Sequence, residues 1–201
     1  MREAVATSVD MRIKTLSRIV EGIEKKTQWG IRRFESRTDH KAQMKADLDG
    51  ESIELYTERE AIGLFGMPQN TIIQGNITLN EGLNEFFTIL CSSGGTKFDN
   101  TNSYLGVGDS TIESNATQTG LQASTNKFYK EMDATYPTYG TSQKATWKST
   151  FETTEANFDW NEFTLANGNS DSDINFNRRV AQQGTKQSDQ IWELTQEIGV
   201  S

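Results

Sequence analysis

Residues 102–123 read Asn-Ser-Tyr-Leu-Gly-Val-Gly-Asp-Ser-Thr-Ile-Glu-Ser-Asn-Ala-Thr-Gln-Thr-Gly-Leu-Gln-Ala. Tyr104, Leu105 and Val107 make a short apolar strand that runs into a Gly-Asp-Ser turn. A polar loop follows, then a small-residue segment leading to Lys127-Phe128-Tyr129. Upstream of this stretch the patterns are mostly helical or irregular. Downstream they alternate with a period of two, the signature of strands with one buried and one wet face. That switch sets the expected fold class: mainly β, an antiparallel β-sandwich with one packed helix at about 78–91 and an N-terminal helical arm. Residues 1–50 read as the arm and residues 51–201 as the sandwich domain.

Downstream, Ala145, Trp147, Ser149 and Phe151 point one way and Lys144, Thr146, Lys148 and Thr150 the other. Phe158 and Trp160 share a face, with Phe163 and Leu165 expected on the opposite one. Ile174, Phe176 and Val180 mark another strand, with Arg178 on the same parity, and Trp192, Leu194, Ile198 and Val200 mark the last. Gly140, Asn167-Gly168-Asn169 and Gly184 supply turn chemistry between them. Thr125–Met132 reads as a short helix.

Upstream, Leu79, Leu83, Phe86, Phe87 and Leu90 recur at helical spacing. Thr78 is placed to cap that helix, with Glu81 completing the box and Ser92-Ser-Gly-Gly95 ending it. The expected role is to plug one end or face of the sheet. Thr71–Ile77 is β-like with a bend at Gly75, and Gln28–Phe34 reads as a strand with Trp29, Ile31 and Arg33 on one side. Ser52–Tyr56 alternates, and Thr57–Glu60 opens a short helix that stops at Gly66 before Pro68. Residues 10–26 carry one narrow apolar stripe, Ile13, Leu16, Val20 and Ile23, among charged side chains. A helix of about two heptads is marginal alone in water, so this stripe needs a partner surface, and these four residues are the candidate subunit-docking positions.

The mean hydropathy of −0.66 and the hydrophobic share of 34% are low for a compact globule. They suit a sheet with a wet face or surface buried on association. Residues 1–50 hold 11 Lys+Arg against 8 Asp+Glu, a net +3, which leaves −11 of the total −8 charge balance on residues 51–201. A basic arm behind an acidic body can dock on a neighbouring copy, whereas duplex affinity comes from cations neutralising phosphates, so no specific nucleic acid is expected. One cysteine, Cys91, excludes an internal disulfide. No apolar run approaches the roughly 20 residues of a membrane helix, and the N-terminus does not read as a secretory signal, so no membrane partner is expected.

The search for chemistry is negative. A Ser-His-Asp or Cys-His arrangement would have to use His40, which sits in the charged loop Arg37–Lys41. Zinc needs several Cys or His ligands and the chain has one of each. Asn167, Asn169, Asp171 and Asp173 alternate as calcium ligands do, but lack the closing glutamate and suit a polar hairpin tip. Leu105-Gly-Val-Gly-Asp109 lacks the third glycine and the lysine of a phosphate loop. Glu152 and Glu155 are a glycosidase pair only if they flank a groove. Tyr129, Tyr136, Tyr139 and Trp147 suit either a carbohydrate groove or a sheet core. The expectation is no catalytic, cofactor-binding or metal residue, no cofactor and no enzyme.

Several segments resemble a family of tailed-bacteriophage virion structural proteins, of capsid-decoration or tail-associated type. They are Gly75-Asn-Ile-Thr-Leu-Asn-Glu-Gly82, Asn102–Ser110, Thr117-Gln-Thr-Gly-Leu-Gln122, Asn126–Asp133, Tyr136-Pro137, Glu155–Glu162, Asn177-Arg-Arg-Val180, Gly184-Thr-Lys186 and Trp192-Glu-Leu-Thr195. The resemblance spans residues 71–201 and carries no functional residue with it. It implies a virion component made in the host bacterial cytoplasm, a homo-oligomer whose partners are other virion proteins, either major capsid or tail and neck subunits. Decoration or cement on the head is the leading expectation. A neck, tail or baseplate protein is the alternative, and a carbohydrate-binding host-adhesion module is the second alternative.

Overall fold

The computed structural model describes residues 27–34 and 67–199. The expected helix at 10–26 with Ile13, Leu16, Val20 and Ile23, the loop holding His40, the strand at 52–56 and the helix at 57–66 lie outside the described residues.

Ten strands form two antiparallel five-stranded sheets. The first sheet runs β2 (Gln69–Gln74), β1 (Gln28–Phe34), β10 (Ile191–Gly199), β7 (Lys144–Phe151), β6 (Thr138–Thr141). The second runs β3 (Ile77–Thr78), β9 (Asn175–Val180), β8 (Glu162–Ala166), β4 (Tyr104–Gly108), β5 (Lys127–Glu131). The expected sandwich is therefore present, with one helix, α1 (Asn80–Cys91), beside it. Inward-facing residues of both sheets share one core: Trp29, Ile31, Trp147, Phe151, Trp192 and Leu194 from the first meet Leu105, Val107, Phe163, Leu165 and Phe176 from the second. Trp160 stands at its centre, edge-on to Phe151 at 4.7 Å and to Trp192 at 4.8 Å. Each such large side chain contributes about 1.5–3 kcal/mol by leaving water.

Arg33 keeps the parity read from the sequence and lays its guanidinium 4.6 Å over the Trp192 ring. The outer face of the first sheet is polar. Glu193 takes Arg32 at 2.9 Å and Lys148 at 2.5 Å, and Lys144 reaches Glu197 at 2.6 Å. Burial acts most strongly on the Lys148 ammonium and downward, yet Glu193 and Asp133 outweigh it and leave its pKa raised.

Among the described strands the chain passes between the sheets four times, and two of these crossings are held by specific contacts. Gly75 sits at φ +73° and donates its N–H to Thr27 O at 2.7 Å, turning the chain from β2 into β3. At the opposite edge Asp133 follows β5, donates to Lys148 O at 2.9 Å, and accepts Thr150 N at 2.9 Å and Thr150 Oγ1 at 3.0 Å. This stitches the end of the second sheet to β7 of the first.

Six local expectations are corrected. The helix starts at Asn80, not Thr78, because strand pairing persists: Thr78 pairs with Asn177 and Leu79 N donates to Phe176 O at 3.0 Å. Leu79 becomes the cap without a side-chain bond, and Glu81 accepts Asn175 N at 2.9 Å instead of reaching back. The helix also does not bury its apolar face. Leu79 is buried, but Phe86, Phe87 and Leu90 are 45%, 53% and 67% exposed. The contact with the sheet is made early: a Cβ on Gly82 would lie 2.4 Å from the Phe176 Cα, so the first turn meets β9 backbone to backbone, and the larger side chains farther along the helix are left to water. Residues 127–131 are strand β5, not helix, because β4 offers an open edge and Gly106 pairs with Tyr129. Trp160, Phe163 and Leu165 all face the core, since residues 152–161 form no strand of their own that could impose alternation. A register shift between Leu165 and Ala166 breaks the parity of β9, putting Phe176 inside and Arg178 outside. The β6–β7 turn, finally, is Ser142-Gln143, at φ +56° and +51°, rather than Gly140.

Gly82→Ala forces β9 and α1 apart. The expected loss is about 1–3 kcal/mol, read as a lower thermal midpoint with the β-sheet circular dichroism retained.

Candidate functional site

The outer face of the second sheet is where the polar groups gather. Gly106 and Gly108 leave a trough on β4: a Cβ on Gly106 would lie 2.6 Å from Thr164 Cγ2 and 2.8 Å from Tyr129 Cε1, and one on Gly108 would lie 2.5 Å from Glu162 Oε1. Neighbouring side chains therefore lie flat over β4. Register places Gly108 opposite Glu162, and Thr164 opposite Arg178. Glu162 and Arg178 are both fully buried and paired, with Nε at 2.7 Å and Nη2 at 2.6 Å from Glu162 Oε2. The loop after β4 closes over them. Gln122 N donates to Glu162 Oε2 at 2.9 Å, Ala123 N donates to Oε1 at 2.7 Å, and Arg178 Nη1 donates to Gln118 Oε1 at 2.9 Å. Three hydrogen bonds and the ionic contact of Nη2 hold this carboxylate, and it is fully buried, so it is not presented to a substrate. Its role is to pin the 109–126 loop.

Beside this clamp lies a shallow cavity of about 370 Å³ lined by Lys127, Phe128, Tyr129, Asn169, Ser170 and Asp171. Asp171 accepts from Tyr129 Oη at 2.5 Å, from Leu121 N at 3.2 Å, and from Lys127. Burial first, then the Asp171 carboxylate, raises the Tyr129 pKa, so the phenol stays protonated and donates. The charges in the cavity are thus spent on one another.

A second buried charge was not legible in the sequence. Lys186 is almost wholly enclosed, and its ammonium donates to Glu152 O at 2.6 Å, Glu155 O at 2.9 Å and Asn157 Oδ1 at 2.9 Å. All three N–H groups are used, which gathers residues 152–157 into one turn. Burial pushes the Lys186 ammonium down to about 8.

The candidate residues from the sequence are scattered. Asn167 Oδ1 accepts Ile174 N at 3.0 Å and Asp173 Oδ2 accepts Ser170 N at 3.0 Å, so these oxygens tie the β8–β9 hairpin instead of converging on an ion. Among the described residues no group of three or more His, Cys, Asp or Glu is placed to hold a metal. Glu155 is divided between Lys130 Nζ at 2.9 Å and Glu152 N at 2.9 Å, so Glu152 and Glu155 do not flank a groove. Trp147 is buried with Nε1 on Phe98 O at 3.0 Å, whereas Tyr139 is exposed on β6 and Tyr129 lies on the other sheet. Tyr136 packs against the core that holds Trp147, so the four aromatics line no common groove. Leu105–Asp109 is strand β4 and its end, not a phosphate loop.

The surface feature with unspent binding capacity is α1. Phe86 and Phe87 stack edge to face at 5.6 Å, Leu90 stands one turn on, and Cys91 is exposed beside it. No helix among the described residues is long and apolar enough to cross a membrane.

Two outcomes check the buried charges. Arg178→Met leaves the Glu162 carboxylate buried without its cation, costing on the order of 3–5 kcal/mol; the double variant with Glu162→Gln recovers part of that loss in urea denaturation. For Lys186 the folded pKa lies below the unfolded one, so between about pH 8 and 10.5 the unfolded chain binds more protons. Stability from this group rises with pH across that window, and the rise disappears in Lys186→Met, read from urea midpoints at a series of pH values. No family model, no curated protein and no solved structure matches this chain.

Proposed function

We propose that this chain is a non-enzymatic structural component of a phage virion, a capsid decoration or cement protein that holds neighbouring subunits through its N-terminal arm. The observation that carries the reading is the contrast between its surfaces. Buried charges are consumed internally by Glu162, Arg178 and Lys186, while α1 leaves Phe86, Phe87 and Leu90 to water. A body of that kind is stiff and has its remaining binding capacity in an apolar face, which suits association and not turnover. The span that resembles virion structural proteins, residues 71–201, takes in the second sheet, the helix and the first sheet except β1 and the start of β2. The basic balance of residues 1–50 against the acidic remainder supplies attraction between copies. Many weak contacts on a repeating lattice add through multivalency, so each copy requires no tight site.

Copy number tests the placement. Quantitative mass spectrometry of purified particles of the phage that encodes the chain is expected to find it in hundreds of copies per particle. A handful of copies would assign it to the neck or tail, and its absence from particles would overturn the proposal.

A further inference from the structure

We infer that the exposed face of α1 is the receptor for the apolar stripe of residues 10–26 of a second copy; this rests on the structural-subunit reading and names the surface it uses. The face is built for a helix. Leu83, Phe86, Phe87 and Leu90 step along α1 by three and four residues, as a and d positions do. Ile13, Leu16, Val20 and Ile23 step by three, four and three in the same way. Two such seams bring helix axes to about 8–10 Å. The stripe extends about 15 Å along a helix, enough to cover Phe86 through Leu90.

Charge agrees with the pairing. α1 carries Glu81 and Glu85 and no basic residue, whereas residues 10–26 carry five basic and three acidic side chains. The described chain begins at Thr27, whose carbonyl holds Gly75 N at 2.7 Å, five residues before α1 starts. The arm therefore leaves the body close to the helix that receives another copy's arm. Thr27 and the start of α1 are close on the described body, so a pair of copies can exchange arms. Phe86, Phe87 and Leu90 are left uncovered by the described residues, and in a subunit that assembles with its neighbours the cover is the arm of an adjacent copy.

Cys91, the chain's one cysteine, reports on this contact, because it is exposed next to Leu90 and one turn beyond Phe87. In the full-length protein, maleimide labelling of Cys91 is expected to slow at least tenfold as concentration rises, in step with an increase in mass by light scattering. Leu16→Asp/Val20→Asp, which lacks the stripe, and Phe87→Asp, which lacks the receptor, should each stay monomeric with fast labelling. Mixed together they should form a heterodimer, because one supplies the intact face and the other the intact arm. Circular dichroism checks that each variant keeps the sheet fold. Labelling that is slow but independent of concentration in a monomer would place the arm on its own α1 and overturn the exchange. Labelling equally fast in all three proteins, or a mixture that stays monomeric, would overturn the contact altogether. Either failure leaves the copy number per particle unaffected, so the two readings fail separately.

Discussion

A carboxylate taken fully out of water has to be met by donors and a countercharge, and Glu162 has both: hydrogen bonds from Nε of Arg178 and from the N–H groups of Gln122 and Ala123, with the guanidinium's Nη2 in ionic contact. Much of the second sheet follows from that requirement. Gly108 has no side chain because Glu162 Oε1 occupies the place of its Cβ. The 109–126 loop lies over the sheet because its backbone provides two of the three hydrogen-bond donors. Arg178 is turned to the outer face by the β8–β9 register shift while Phe176 stays in the core, which lets one strand serve both an aromatic interior and an ionic exterior.

The same economy recurs at Lys186 and Asp133. Each takes a loop end that carries no ladder bonds of its own and fixes it with charge-assisted hydrogen bonds. A polar, acidic chain with a hydrophobic share of only 34% thereby builds a defined body around a modest aromatic core. The charges that carry this are satisfied inside the chain. They are poor candidates for chemistry on a substrate, and the proposed role accordingly rests on surfaces and not on reactive groups.

α1 departs from this pattern. Its first turn is held by Leu79, by Gly82 against Phe176, and by Glu81 on Asn175 N; Glu85 farther on accepts Thr96 N at 2.5 Å and Asn167 Nδ2 at 3.3 Å. These contacts gather on the first two turns and the 92–96 end of the helix, while Phe86, Phe87 and Leu90 stay exposed. A helix pinned by small and acidic residues while its large apolar residues stand outside is oriented for a contact that the described body does not make. That geometry is the physical basis of the proposed association.

What the sequence by itself determined was local and periodic. Two-residue alternation in 144–151 and 191–199, the strand 28–34 with Trp29 and Ile31 inward, the bend at Gly75 and the helix ending at Ser92 all follow from patterns within about ten residues. The tertiary structure decided whatever depends on a neighbour distant in the chain. Whether 127–131 is strand or helix depended on the free edge of β4, and where α1 meets the sheet depended on the close approach of Gly82 to Phe176. The partners of Glu162, Arg178 and Lys186 lie 16 to 60 residues away. A buried charge is stabilised by geometry assembled from several elements, and no periodicity within a single element records which distant group will meet it.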